Sequence, residues 1–131
     1  MRYVKSLAFS VKKKTVVADC RSLADRIVER HIKTSLDLIV LAMLNGEPMY
    51  GYKIIAAIHK KFGVLLSPGS LYPLLHLLEE NKLIESRFQE GKIVYVATSD
   101  GKKRFQSAFV AYKTAMRKME NFIKLNGENS P

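Results

Sequence analysis

The sequence predicts a mainly α fold carrying one small β-hairpin (α+β), and three observations lead there. Between Thr34 and Asn81 apolar residues recur at helical spacing in three blocks, closed in turn by Asn45-Gly46, Gly63 and Asn81. Leu83 to Phe88 and Lys92 to Ala97 flank the polar stretch Gln89-Glu90-Gly91, which reads as two short strands joined by a turn. Beyond Asp100-Gly101, Phe105, Phe109, Tyr112, Met116, Met119 and Ile123 are spaced alternately four and three apart. That is the 3.5-residue repeat of a helix that packs along another helix.

Each element follows from local chemistry. Residues Arg2 to Val17 alternate weakly and then run into Lys12-Lys13-Lys14, so a short strand and a loose arm are both open. Apolar or amphipathic residues at 17, 20, 24, 27 and 31 make one stripe of a helix from Val17 to about His31, with Arg21, Arg26 and Arg30 off the stripe. Thr34 followed by Asp37 predicts a capping box. The run Leu38 to Leu44 behind it is apolar all round and is expected to be buried. A second helix of this middle region runs from Met49–Gly51 to about Phe62, with Ile54, Ile55 and Ile58 inward. For the third, Pro73 lacks an N–H and is cheapest in a first turn, which points to Ser70 as the cap. Leu71, Leu74, Leu75 and Leu78 form its inner stripe, and Asn81 is expected to take the left-handed position at its end. Thr98 or Ser99 opens the last helix, which reads to about Leu125. The expected organisation is a basic extension over 1–33, a compact domain over 34–99, a C-terminal helix over 100–125 and a frayed tail over 126–131.

The chain has 131 residues, 22 Lys plus Arg against 12 Asp plus Glu, and a formal charge of +10. Such an excess is the footprint of a partner made of phosphate. Its distribution says more: residues 1–33 carry nine basic and three acidic side chains, 34–100 six and seven, and 101–131 seven and two. A near-neutral middle must recognise a polyanion by shape and placed hydrogen bonds more than by bulk attraction. The single cysteine, Cys20, excludes an intrachain disulfide. No apolar run is long enough to cross a bilayer and no signal segment is evident, so the expected location is the cytoplasm, at the nucleoid, with no membrane partner.

Helix, helix, turn, helix and hairpin within some 65 residues is the order of a winged helix-turn-helix, with the N-terminal extension before it and the C-terminal helix, read as a dimerisation helix, after it. The third helix of such a module enters the major groove and the hairpin is the wing. The stretches Pro48-Met49-Tyr50-Gly51-Tyr52-Lys53-Ile54 and Ser67-Pro68-Gly69-Ser70-Leu71-Tyr72-Pro73-Leu74-Leu75-His76-Leu77-Leu78-Glu79 resemble the two signature stretches of PadR-family transcriptional regulators. The wing and the Thr98 to Gly101 turn are similar too, so the resemblance covers roughly residues 34 to 105. It implies a dimeric winged-helix DNA-binding protein, usually a repressor, sometimes relieved by a small hydrophobic or phenolic effector. Leu77 and Asn81 depart from the pattern, standing where a basic residue and a glycine are common.

The candidate contacts to double-stranded DNA are Tyr50, Lys53, Ser67, Gly69, Ser70, Tyr72, Pro73, His76, Arg87 and Lys92, with Lys12, Lys13 and Lys14 as a possible backbone arm. The Ser70 end of the third helix is a ready phosphate site, because first-turn N–H groups and the dipole both favour an anion. Tyr72 and His76, four apart, can offer hydrogen bonds to base edges or phosphates. The alternatives are Tyr72 packed against the wing and His76 merely solvated. Arg87 and Lys92 are either backbone contacts or solvated hairpin charges. Of Tyr50 and Tyr52, the second is expected in the core. The dimer interface is assigned to Phe105, Phe109, Tyr112, Met116, Met119 and Ile123, with packing inside the same chain as the competing reading. Two-fold pairing would set two recognition helices roughly 34 Å apart and predicts a palindromic operator.

An enzyme is not expected. His31, His59 and His76 are scattered, Cys20 is alone, and neither a phosphate-binding glycine loop nor a nucleophile elbow occurs, so no catalytic residue, metal or cofactor is assigned. The competing class is an architectural protein whose basic flanks bind DNA without sequence preference.

Overall fold

The computed structural model describes residues 22–128. The expectations for Arg2–Val17, for Lys12, Lys13 and Lys14, and for the last three residues lie outside them. The described residues fall into two units that divide between His31 and Ile32. The elements in order are α1 (Leu23–Thr34), α2 (Leu36–Gly46), β1 (Met49–Tyr50), α3 (Gly51–Phe62), α4 (Pro68–Glu80), β2 (Ile84–Gln89), β3 (Lys92–Ala97) and α5 (Ser99–Gly127). Ser22 caps α1 by accepting the Asp25 N–H at 3.1 Å.

The strands form one antiparallel sheet in the order β1-β3-β2. β1 leaves no sign in the residue pattern: its two residues, between Pro48 and Gly51, are too few to show a period. They pair Met49 with Tyr95 and Tyr50 with Val94, and so tie the start of α3 to the hairpin. The hairpin has a two-residue turn in which Glu90 and Gly91 both have positive φ, 51° and 76°. That is the type I′ pattern, whose twist matches the flanking strands.

The core is aliphatic. Val40, Leu44, Ile54, Ile58, Leu71, Leu75 and Ile84 are its largest fully buried side chains, drawn from α2, α3, α4 and β2. Of the run Leu38 to Leu44, expected to be buried all round, Val40, Leu41 and Leu44 are buried, Leu38, Ile39 and Met43 are half-buried and Ala42 is exposed, so α2 buries one side rather than its whole circumference.

Four local expectations need correction. Thr34 does not cap α2; it is the last residue of α1, Ser35 alone separates the helices, and Asp37 accepts from the Leu38 N–H instead. Ser70 does not cap α4. Ser67 does, its hydroxyl accepting the Ser70 N–H at 3.2 Å, and Pro68 takes the first helical position. A proline there gives up a donor that would be unpaired anyway, which is the same economy assigned to Pro73 and is met five residues earlier. Asn81 has φ −82°, and Lys82, at φ 61°, is the left-handed residue. The N–H groups of Lys82 and Leu83 donate to the carbonyls of Glu79 and Leu78, a Schellman motif that brings Leu83 onto Leu78, while the Asn81 amide donates to Leu77 O. Tyr52 is 67% exposed rather than in the core, because Ile54, Ile55 and Ile58 fill the inner stripe of α3.

Thr98 fastens α5 to this turn. Its hydroxyl accepts the Gly101 N–H at 2.9 Å and donates to Lys82 O at 2.7 Å, while its own N–H donates to Leu83 O. Gly101 sits against the same Leu83 carbonyl so closely that no Cβ could be accommodated.

Candidate nucleic-acid interface

The inner stripe of α4 is buried at Leu71, Leu75 and Leu78, which turns Gly69, Ser70, Pro73, His76, Leu77 and Glu80 outward into solvent. The face carries one carboxylate and no Lys or Arg. At its N-terminal end Ser67 and Ser70 lie together, their hydroxyls 3.1 Å apart. The Ser70 N–H is taken by Ser67, and Pro68 has none, so the helix end is less open to an anion than a Ser70 cap would leave it. Pro73, the sixth helical residue, cannot donate to the Gly69 carbonyl and leaves an acceptor near that outer surface.

Tyr72 is half-buried, packed against the core, with its phenol over Gly51. The ring is thus packed on the first residue of α3, a contact that neither the DNA-facing reading nor the wing-packed alternative specified. Burial first, and then the neighbouring Tyr72 and Glu79, push the Tyr95 hydroxyl above its ordinary value of 10.0. Glu79 is held by β2, accepting from the Ser86 hydroxyl at 2.6 Å. Helix and wing are thus joined by polar as well as apolar contacts.

The remaining candidates divide by their surroundings. Tyr50 and Lys92 come together, the Lys92 ammonium standing 4.4 Å from the centre of the Tyr50 ring. Lys53 pairs with Glu47 at 3.1 Å and Arg87 with Glu85 at 3.0 Å. Both pairs are about half exposed, so each contributes about 0–1 kcal/mol and a phosphate can displace the carboxylate at little cost. His76 is exposed on the outer face of α4. Sequence reasoning misses the exposed Phe88 and Ile93 at the wing tip, because alternation alone does not say where the domain beneath a strand ends.

The stripe assigned to the dimer divides along α5. Phe105 packs on the chain's own core and stacks on Phe109, the ring centres 5.8 Å apart. Tyr112 and Met116 are half-buried, whereas Met119 and Ile123 are exposed together with Phe122 and Leu125. An open groove of about 350 Å³ runs between α2 and α5, with Leu38, Leu41, Ala108, Ala111 and Tyr112 among its walls.

This arrangement, a helix face set beside a two-stranded wing, defines a winged-helix DNA-binding protein. The profile described as the transcriptional regulator PadR-like family matches residues 40–107, and the chain belongs to that family. A PadR-family transcriptional regulator from Eggerthella lenta is similar at a TM-score of 0.70 and 22% identity, over 78% of this chain and 93% of its own. A transcriptional regulator from Clostridium thermocellum is similar at 0.67 and 25%, over 72% and 96%. A PadR-like regulator from Bacillus cereus is similar at 0.66 and 23%, over 72% and 97%. Curated proteins gave no match to the chain. The protein is accordingly a DNA-binding regulator of transcription and not an enzyme. No described helix is long and apolar enough to cross a membrane.

Proposed function

We propose that the protein is a homodimeric, sequence-specific repressor that reads a palindromic operator. The observation that carries this is the outer face of α4, where Gly69, Ser70, Pro73 and His76 stand exposed on a helix whose opposite stripe is anchored in the core. α4 enters the major groove, and β2 and β3 act as the wing. With no Lys or Arg on α4, the reading face depends on His76, the serine hydroxyls and groove shape, while Lys53, Arg87 and Lys92 meet phosphates around it. Lys12, Lys13 and Lys14 add backbone contacts from the N-terminal arm.

Pairing runs along α5, where the apolar side chains Met119, Phe122, Ile123 and Leu125 are left in solvent in a single chain. A small hydrophobic effector would relieve repression by entering the groove between α2 and α5 and shifting α5 against the DNA-reading domain.

Selection of bound fragments from random and genomic DNA tests the central reading. A palindromic consensus with half-sites about one helical turn apart is the expected result. Equal affinity for selected and random duplexes at every salt concentration would instead indicate an architectural protein. Phe109→Glu combined with Met116→Glu should give monomers in sedimentation; a persistent dimer moves the interface elsewhere. Alanine at Lys12, Lys13 and Lys14 together should lower the salt slope by about one unit for each phosphate that is no longer neutralised.

A further inference from the structure

The core-facing side of the hairpin continues past the edge of the domain. Register pairs Ile84 with Ala97, Ser86 with Tyr95 and Phe88 with Ile93. Because alternate residues share a face, these six side chains lie on one side of the sheet. Ile84, Ala97 and Tyr95 are buried, and Ser86 donates to Glu79 of α4, so this is the side turned toward α4. The outermost pair overhangs into solvent, Phe88 78% and Ile93 53% exposed, two residues from a tight turn.

The wing carries no net charge with which to hold a polyanion: between Ile84 and Ala97 the charged residues are Glu85, Arg87, Glu90 and Lys92, which cancel, so Arg87 and Lys92 alone meet phosphate there. An exposed aromatic and aliphatic pair on a short hairpin also invites edge pairing, a liability that calls for an occupant. The hairpin crosses α4 at Ser86 and Glu79, so its overhanging tip borders the helix read as the DNA-binding element. Apolar side chains set against the sugars and base steps of a minor groove give up no charge–charge attraction, and bury the area that water now covers.

We propose that Phe88 and Ile93 form an apolar wedge that seats the wing in the minor groove of the duplex read by α4, so that binding depends on how easily the base step under the wing tip deforms. The inference rests on the reading of α4 and the hairpin as the DNA-binding surface. Flexible pyrimidine–purine steps unstack most cheaply, so they are favoured beneath the tip over a stiff A-tract.

The test uses the full chain and duplexes recovered by the fragment selection, carrying either TA or an A-tract at the wing position, with 2-aminopurine placed at that step. Phe88→Ala with Ile93→Ala should weaken binding about tenfold or more, since burying one such side chain alone is worth about that factor. The salt slope should stay unchanged, and the preference for the flexible step and the wild-type 2-aminopurine signal should both be lost. Phe88→Leu should keep most of the affinity. Wild-type affinity and step preference in the double variant would overturn the wedge alone. So would weaker binding accompanied by a shallower salt slope, which would mean an electrostatic contact, or dissociation of the double variant in sedimentation, which would give the pair to an interface between copies. Failure of the wild type to bind any duplex would overturn the DNA-binding reading and the wedge with it.

Discussion

The phenol of Tyr72 lies directly over Gly51, so close that a Cβ at residue 51 would overlap its hydroxyl oxygen and the adjoining ring carbons. The first residue of α3 and the fifth of α4 are therefore fitted to each other.

Gly51→Ala should destabilise the fold by about 1–3 kcal/mol, the range for forcing extra volume into a packed site. DNA affinity should fall with it, because Tyr72 can yield only by moving the reading helix or swinging its ring out. Adding Tyr72→Leu removes the obstructing ring, so the double variant should recover part of the stability that Gly51→Ala removes, as measured in a urea melt. Additive effects would show that the two positions are uncoupled.

At Gly101 the obstacle is backbone. Its virtual Cβ meets the Leu83 carbonyl, which the Thr98 N–H and hydroxyl already hold. Gly101→Ala should cost about 3 kcal/mol or more, at the upper end for overpacking, since neither the strand lead-in nor the helix start can shift alone. Thermal unfolding monitored by circular dichroism measures it, and a change under 1 kcal/mol would show that the backbone there gives way without strain.

The two serines at the start of α4 can be told apart by substitution. Ser67→Ala should cost about 1 kcal/mol through removal of the cap, whereas Ser70→Ala, which removes only the hydroxyl-to-hydroxyl contact, should stay within about 0.5 kcal/mol. The reverse order would restore Ser70 as the cap.

Tyr95 provides the pH dependence. Its hydroxyl is held above 10.0 in the folded chain, chiefly by burial and then by Tyr72 and Glu79, so the folded state binds this proton more tightly than the unfolded state does. The resulting stabilisation is fully present below the unfolded pKa near 10.0 and is lost as pH rises from there through the folded value. Alkaline titration of stability should therefore fall more steeply in the wild type than in Tyr95→Phe. Parallel curves would assign the alkaline decline to other groups.

Much of the candidate surface is legible from residue pattern. The stripes of α2, α3 and α4 are local periodicities, and a helix that must bury one face announces it in every turn. The α4 cap is not decided by residue type, because both Ser67 and Ser70 can accept an N–H and two prolines compete for the inexpensive early position. Asn81 and Lys82 trade places for a similar reason: propensity names the residue that tolerates a left-handed backbone, whereas the Schellman hydrogen bonds and the Leu83 contact select the position. Tyr52 is apolar enough for the core, but Ile54, Ile55 and Ile58 already fill the space.

Spacing and composition are sufficient for the helix order, the hairpin, the uneven charge and the family resemblance, all of which are written within a few residues of one another. Tyr72 over Gly51, Gly101 against Leu83, β1 beside β3 and the overhang of Phe88 and Ile93 depend on residues that meet only when the chain closes on itself. Such contacts leave no period in the sequence, because what sets them is the volume left over once larger side chains are packed.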